Sequence, residues 1–268
     1  MNLRDTAVAA ARAAAETQKR HFRSTLRVDR QGRHDVKLEV DRLCEQAIVA
    51  TIRRQWPDHA IVTEEGGRAE GAGDHTWFVD PLDGTVNYFY GLPYYCASVA
   101  CYRRVEGAAG GGYPRSLASL GEPLVGVVCA PPTGELFVAE AGRGAECNGS
   151  RIQASGVSEL AEAMAAMGFG SRPDSMARFA HRVARVGPRL RKVRCLGAAA
   201  YDLCQVAAGR LSAFAERGLH SWDIAAAQVV LREAGAVLDA VELEAECWDV
   251  VASAPGIHPR FRDLIRSV

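Results

Sequence analysis

The stretch Trp77-Phe78-Val79-Asp80-Pro81-Leu82-Asp83-Gly84-Thr85-Val86-Asn87 decides the reading of this chain. Its apolar start predicts a strand, and the strand ends in two carboxylates three positions apart. Pro81 fixes its own φ and removes a backbone donor, so the chain must turn between them. Gly84 lets the backbone approach a ligand closely. A helix beginning at or just after Gly84 would aim free N–H groups and a positive dipole end at an anion such as phosphate. Carboxylates beside that anion would repel it unless a divalent cation lay between them. Mg²⁺ suits the place, because it takes oxygen ligands and is commonly held by one or two carboxylates plus substrate phosphate. The Leu82 carbonyl offers a further oxygen. A bare Asp-x-x-Asp reads as a turn cap followed by a helix cap. Pro, Gly and Thr at these positions favour a site instead.

Two other acidic features accompany it. Glu64-Glu65 follows a short apolar pair, Ile61-Val62, and taken alone reads as a solvated loop. Asp223, after Trp222, stands where the apolar run Ile224-Ala225-Ala226-Ala227 begins. It is an N-cap by position, and a helix start can also point its carboxylate into a cleft.

The rest of the chain supplies a layered frame. Helical spacing over the Ala-rich first twenty residues, with Asn2 as cap, predicts one helix. Val40, Leu43, Cys44, Ala47, Ile48 and Ile52 predict a second, closed by Pro57. Strands are predicted at 97–102, 124–130 and 135–140, with a turn at Cys147-Asn148-Gly149. The Gly-rich stretch 107–123 reads as a long loop or hairpin tip. Beyond about residue 155 strands (164–169, 193–196, 211–215) alternate with helices (176–183, 198–208, 224–234), and Gly209 and Gly235 end helices. The fold class is therefore an α+β or α/β layered sandwich. Two subdomains are expected, 1–150 carrying most metal ligands and 151–268 carrying Asp223 and the substrate side.

Composition narrows the function. The 268 residues hold 32 basic and 32 acidic side chains, a net charge of zero. No net field is available to hold nucleic acid or an anionic membrane, so neither partner is expected. The basic run Arg189, Arg191, Lys192, Arg194 has no interleaved aromatics and reads as a solvated face. The eight cysteines form no Cys-x-x-Cys pair, which argues against zinc and implies a reducing cytoplasm. No apolar run approaches the ~20 residues of a membrane span. His34, His59 and His181 show no ligand spacing, and His220 reads as structural.

The two motifs together resemble the signatures of the inositol monophosphatase family, Mg²⁺-dependent and Li⁺-sensitive sugar phosphatases. The first is Trp77 to Asn87. The second is Trp222-Asp223-Ile224-Ala225-Ala226 with Glu233-Ala234-Gly235. Val40-Asp41, Glu64-Glu65, Gly144-Ala145, Asn148-Gly149 and Gly197-Ala198-Ala199 fall in the family's order, so the resemblance covers roughly residues 35–260. It implies the sugar-phosphatase fold, a homodimer, and two or three Mg²⁺ ions. Glu64, Asp80 and the Leu82 carbonyl would hold the first ion, and Asp80, Asp83 and Asp223 the second. A third, weaker ion would lie near Glu64. Catalysis would rest on Glu64 and on Thr85 paired with Asp41, which would orient a metal-bound water. The Gly84 and Thr85 N–H groups would hold phosphate, with Asp83, Gly197, Ala199 and Glu216 on the alcohol side.

The chain departs from the family in having Ala227 and Ala236 where glycine is usual, in the length of 107–123, and in a hairpin after Leu238 that reads as short. The expected substrate is a small phosphomonoester, first of all inositol monophosphate. Glu216 favours a polyol, since a carboxylate accepts hydrogen bonds from ring hydroxyls. Fructose-1,6-bisphosphatase, histidinol-phosphatase and 3′-phosphoadenosine 5′-phosphate phosphatase share the fold. A non-catalytic sugar-phosphate-binding regulator is the alternative from a different class, and a thiol-based redox protein ranks below it.

Overall fold

A computed structural model of the chain describes residues 1–25, 27–32, 36–105, 115–172, 174–244 and 247–267. Its helices are α1 (Leu3–His21), α2 (Glu39–Gln55), α3 (Thr85–Phe89), α4 (Ser175–Val186), α5 (Ala199–Ala207), α6 (Ser221–Glu233) and α7 (His258–Arg266). The Asn2 side chain accepts the Asp5 N–H and caps α1, as its position predicts. Lys19, Arg20 and His21 stand in the last turn, where the dipole favours positive charge.

Among the described residues two large sheets form. The first runs, edge to edge, Ser150–Arg151, Gly144–Cys147, Glu135–Glu140, Glu122–Ala130, Cys96–Arg103, His75–Asp83, Ala60–Thr63, Gly67–Ala69. Only the contact between Ala60–Thr63 and His75–Asp83 is parallel. The second runs Lys192–Arg194, Met164–Met167, Ala213–Leu219, Cys247–Ser253, Val237–Glu244, Arg115–Ser116. Here Met164–Met167 lies parallel to both neighbours and the remaining pairs are antiparallel.

Side-chain alternation sorts these elements into layers. Trp77 and Val79 point to the face covered by α1 and α2, while Phe78 points the other way, toward α5 and α6. On the second sheet Trp248, Val250 and Ala252 face α5 and α6, and Val251 faces α4 and α7. Two helices thus sit between two sheets, with a helix pair outside each. The layered α+β class read from the sequence is the observed one. Gly126 makes the central layer possible: a Cβ built on it would lie 2.2 Å from the Ala226 carbonyl oxygen of α6. Ala227 is fully buried in the same layer, so the methyl that replaces the usual glycine is accommodated.

Two expectations are corrected. Within 107–123, residues 107–114 lie outside the described ones, but the remainder is not a loop tip. Arg115–Ser116 pairs with Glu242 and Val241 at the edge of the second sheet. A 3-10 turn, Leu117–Leu120, then leads back into the first sheet at Glu122. This short segment stitches the two sheets together. The stretch after Leu238 does form a strand, Val237–Glu244, paired along its length with Cys247–Ser253. Ala240 and Glu242 are buried on one face of this strand. His34 lies outside the described residues. No helix among the described residues is long and apolar enough to cross a membrane.

Candidate functional site

The strand His75–Asp83 delivers its carboxylates at a break in its ladder. Asp80 pairs with Ser98 and Asp83 with Cys96, and the register shifts between them. Pro81, which cannot donate, occupies the shift. The Leu82 N–H turns back to Asp80 Oδ1 at 3.0 Å. The Pro81 carbonyl accepts from Gln18 Nε2 of α1 at 2.8 Å, which pins the turn to the outer helix. Gly84 follows at φ +88°, and a Cβ there would meet the Tyr94 carbonyl at 2.9 Å. Thr85 then opens α3 with Oγ1 2.8 Å from the Leu82 carbonyl and 3.2 Å from Asp41 Oδ1.

The other carboxylates come from helix starts and a strand end. Asp41 is buried, and its Oδ2 accepts the Leu38 N–H at 2.6 Å, capping α2. Asp223 is not the N-cap that its position suggested: His220 is, and Asp223, the third residue of α6, accepts the His220 N–H at 2.7 Å. Asp83 reaches across the layers to the start of α5. It accepts from the N–H groups of Ala199 (3.0 Å), Ala200 (2.9 Å) and Tyr201 (3.3 Å), and from the Cys96 thiol (3.4 Å). Glu64 follows the strand Ala60–Thr63 and keeps 23% of its side chain exposed.

Burial, more than any neighbour, raises the pKa of Asp80 well above its usual range, and Glu64, Asp83 and Asp223 add to it. Asp223 is raised by burial, then by Glu64 and Asp83. Glu216 is raised by burial, then by Asp202, Asp223 and Asp83. Burial raises Asp83 and Glu64 too, against their hydrogen-bond donors. Asp80 lies within hydrogen-bond reach of both Glu64 and Asp223. The cleft therefore gathers negative charge that water alone does not relieve. Among the described residues no three His, Cys, Asp or Glu side chains close around a common point as a finished cage. An all-oxygen set of this kind suits a cation that retains water and takes phosphate as a further ligand, as Mg²⁺ does.

A pH effect follows. Burial pushes Asp41 and Asp202 up to about 8 from an ordinary 3.8. Between those values the folded chain holds protons that the unfolded chain has released. Stability of the metal-free protein is therefore expected to fall as pH rises from 5 to 8, and Mg²⁺ should restore more at pH 8 than at pH 5. Thermal unfolding of chelator-treated protein at both pH values checks this. A melting temperature that rises with pH without metal, or that ignores millimolar Mg²⁺, contradicts it.

The family model for the inositol monophosphatase family matches residues 1–111 and 116–264. The chain belongs to that family. It is 39% identical over 245 residues to the Nus factor SuhB of Pseudomonas aeruginosa, covering 87% of this chain and 83% of that protein. Among solved structures, an IMPase of Thermotoga maritima superposes with TM-score 0.82 at 31% identity, covering 98% of this chain and 96% of that one. An inositol monophosphatase from Anabaena (Nostoc) superposes with TM-score 0.81 at 29% identity, over 99% and 95%.

The structure links the expected site residues pairwise: Asp41 to Thr85 and Thr85 to the Leu82 carbonyl, Asp83 to the Ala199 N–H, and Asp80, Glu64, Asp83, Asp223 and Glu216 through their mutual fields. A Cβ on Gly84 would lie 3.3 Å from the Gly197 carbonyl, and the carboxylate of Glu216 lies against Gly168. Several supporting residues were missed. Asn87, inside the first motif, donates to the carbonyls of Tyr94 (2.9 Å) and Leu196 (2.8 Å) and so fixes the Gly197 turn. Glu45 Oε2 accepts the Glu65 N–H at 2.9 Å and the Gly66 N–H at 3.3 Å, holding the turn behind Glu64. Lys37 Nζ contacts both Glu64 and Glu65. Gln18 carried a visible signal, since with Thr6 it is a polar member of a buried helix side otherwise made of Ala7, Ala10, Ala11, Ala14 and Ala15.

Proposed function

We propose that this chain hydrolyses a phosphomonoester in the presence of Mg²⁺, with inositol monophosphate as the first candidate substrate. The observation that supports the reading is the convergence of Glu64, Asp80, Asp83 and Asp223, each raised in pKa by burial, and Asp80 and Asp223 raised further by their carboxylate neighbours. Glu64, Asp80 and the Leu82 carbonyl would hold one ion, and Asp80, Asp83 and Asp223 a second. Bound Mg²⁺ supplies Lewis-acid polarisation of the phosphoryl oxygens and acidifies water.

The chain's own groups do the rest. Thr85 Oγ1, donating to Asp41 Oδ1, can accept a hydrogen bond from water and aim its lone pair at phosphorus. Asp41, which burial lifts to about 8, can in its ionised form take up the proton that passes through Thr85. The Gly84 and Thr85 N–H groups would hold the phosphoryl oxygens. Gly197, Ala199 and Glu216 line the alcohol side, and Glu216 accepts from substrate hydroxyls. The division into 1–150 and 151–268, the homodimer and Li⁺ sensitivity belong to the same reading.

Relatives named Nus factor SuhB favour a second reading, in which this chain serves as a Nus factor. Phosphate release separates the two. The panel is inositol 1-phosphate, fructose 1,6-bisphosphate, histidinol phosphate and 3′-phosphoadenosine 5′-phosphate, with Mg²⁺ and with or without Li⁺. Asp83→Asn serves as the blank. Mg²⁺-dependent release that disappears in the variant is expected, strongest for inositol 1-phosphate. No release from any of the four, by protein that binds Mg²⁺, favours the Nus-factor reading.

A further inference from the structure

Lys37 reaches the carboxylate cluster from inside the fold. It stands on the strand Val36–Leu38, which pairs with Val28–Gln31 and leads directly into α2. Its Nζ lies 2.6 Å from Glu65 Oε1 and also pairs with Glu64 Oε1. Its side chain is 21% exposed, so the ammonium is a fixed part of the cleft rather than a solvated surface charge. Its field acts on Asp41, Glu64 and Asp80 alike. The turn that presents Glu64 and Glu65 is braced from behind by Glu45, so both acceptors are held for it.

We propose that the Lys37 ammonium is a built-in cation that fills the Glu64–Glu65 side of the cleft, so that this chain binds two divalent ions where an open Glu64–Glu65 pair would admit a third. The inference rests on the metal-dependent reading above and concerns how many ions that site takes. The argument is one of occupancy and charge. A carboxylate oxygen engaged by a lysine at hydrogen-bond distance offers fewer lone pairs to a metal. A divalent ion placed against Glu64 and Glu65 would also meet a positive charge a few ångströms away, a like-charge contact that disfavours it. An ammonium neutralises one carboxylate and cannot dissociate on dilution. The Glu64 side therefore stays partly neutralised at Mg²⁺ concentrations too low to fill a weak site.

The test counts ions directly. Mn²⁺, visible by electron paramagnetic resonance when free, is titrated into chelator-stripped wild-type protein and into Lys37→Met, which keeps the aliphatic stem and removes the charge. Expected are two ions per chain in the wild type and three in the variant, the extra one weak and competed by Mg²⁺. Lys37→Arg, which keeps the charge, should count as the wild type. A wild-type count of three overturns the proposal without reference to any variant. Equal counts in the wild type and a folded Lys37→Met also overturn it and leave the metal reading intact. Absence of Mn²⁺ binding in every protein overturns the metal reading and this inference with it.

Discussion

Asp80→Asn should lower Mg²⁺-dependent phosphate release by about 10³-fold or more. Asp80 is the one side chain assigned to both ions, and it is almost fully buried. Metal stabilisation of transition-state charge is worth several kcal/mol, and each ~1.4 kcal/mol is a factor of about ten in rate. The same substitution should raise the stability of the metal-free chain. Burial, Glu64, Asp83 and Asp223 all act against a charge at this position, and the neutral amide relieves that repulsion. Opposite signs in activity and stability distinguish a ligand from a structural aspartate, whose loss would lower both. Initial rates and chelator-treated melting curves measure the two. Unchanged activity, or a metal-free melting temperature that drops, contradicts the assignment.

Gly126→Val should be among the most destabilising single changes in the chain. Gly126 lies in the strand Glu122–Ala130 with no left-handed φ, so its need for glycine is purely steric. A Cβ there would lie 2.2 Å from the Ala226 carbonyl oxygen and 2.9 Å from Val229 Cβ. The first obstacle is the backbone of a buried helix, which cannot rotate aside. Overpacking typically costs about 1–3 kcal/mol and occasionally more, and a backbone clash of this depth belongs at or beyond the upper end. At this chain length each kcal/mol is worth about 2–4 °C, so a fall of roughly 6–12 °C is expected. Activity should fall as well, because α6 carries Asp223 at its start. Gly156→Ala is the control, since nothing lies within 4 Å of a Cβ there, and it should change stability by no more than about 0.5 kcal/mol.

The parts of the fold that were legible are those whose signal is local. The α1 cap at Asn2, the closure of α2 before Pro57 and the strand into Asp80 each follow from spacing and backbone chemistry within a few residues. Asn148 and Gly149, at φ +51° and +78°, form the turn that their dipeptide signals. What stayed hidden depends on distant partners. Arg115–Ser116 is a strand only because Val241 and Glu242 offer an edge. The helix α7 carries Phe261 and Ile265 against Val251 of the second sheet, a pattern too short to stand out in nine residues.

The site divides in the same way. Asp80, Asp83 and Asp223 sit in motifs whose neighbours announce them. Glu64 could not be told from a solvated acid without knowing that its strand runs parallel beside His75–Asp83. Lys37 and Glu45 lie 27 and 20 positions from the acids they meet, and nothing in their surrounding sequence marks them. Asp202 is a buried acid in an apolar helix, held by the Tyr94 hydroxyl at 2.5 Å. Only the fold shows that this pair stands beside Asp83 and Glu216.

The central claim is that the carboxylate cleft is a divalent-metal site which recognises phosphate together with the metal. Calorimetric titration of Mg²⁺ into chelator-stripped protein at pH 8, with and without inorganic phosphate, tests it directly. Saturable binding in the millimolar range or tighter is expected, strengthened by phosphate and abolished at the shared position by Asp80→Asn. No binding by the wild type, or binding that neither phosphate nor Asp80→Asn alters, would place the metal elsewhere and contradict the account.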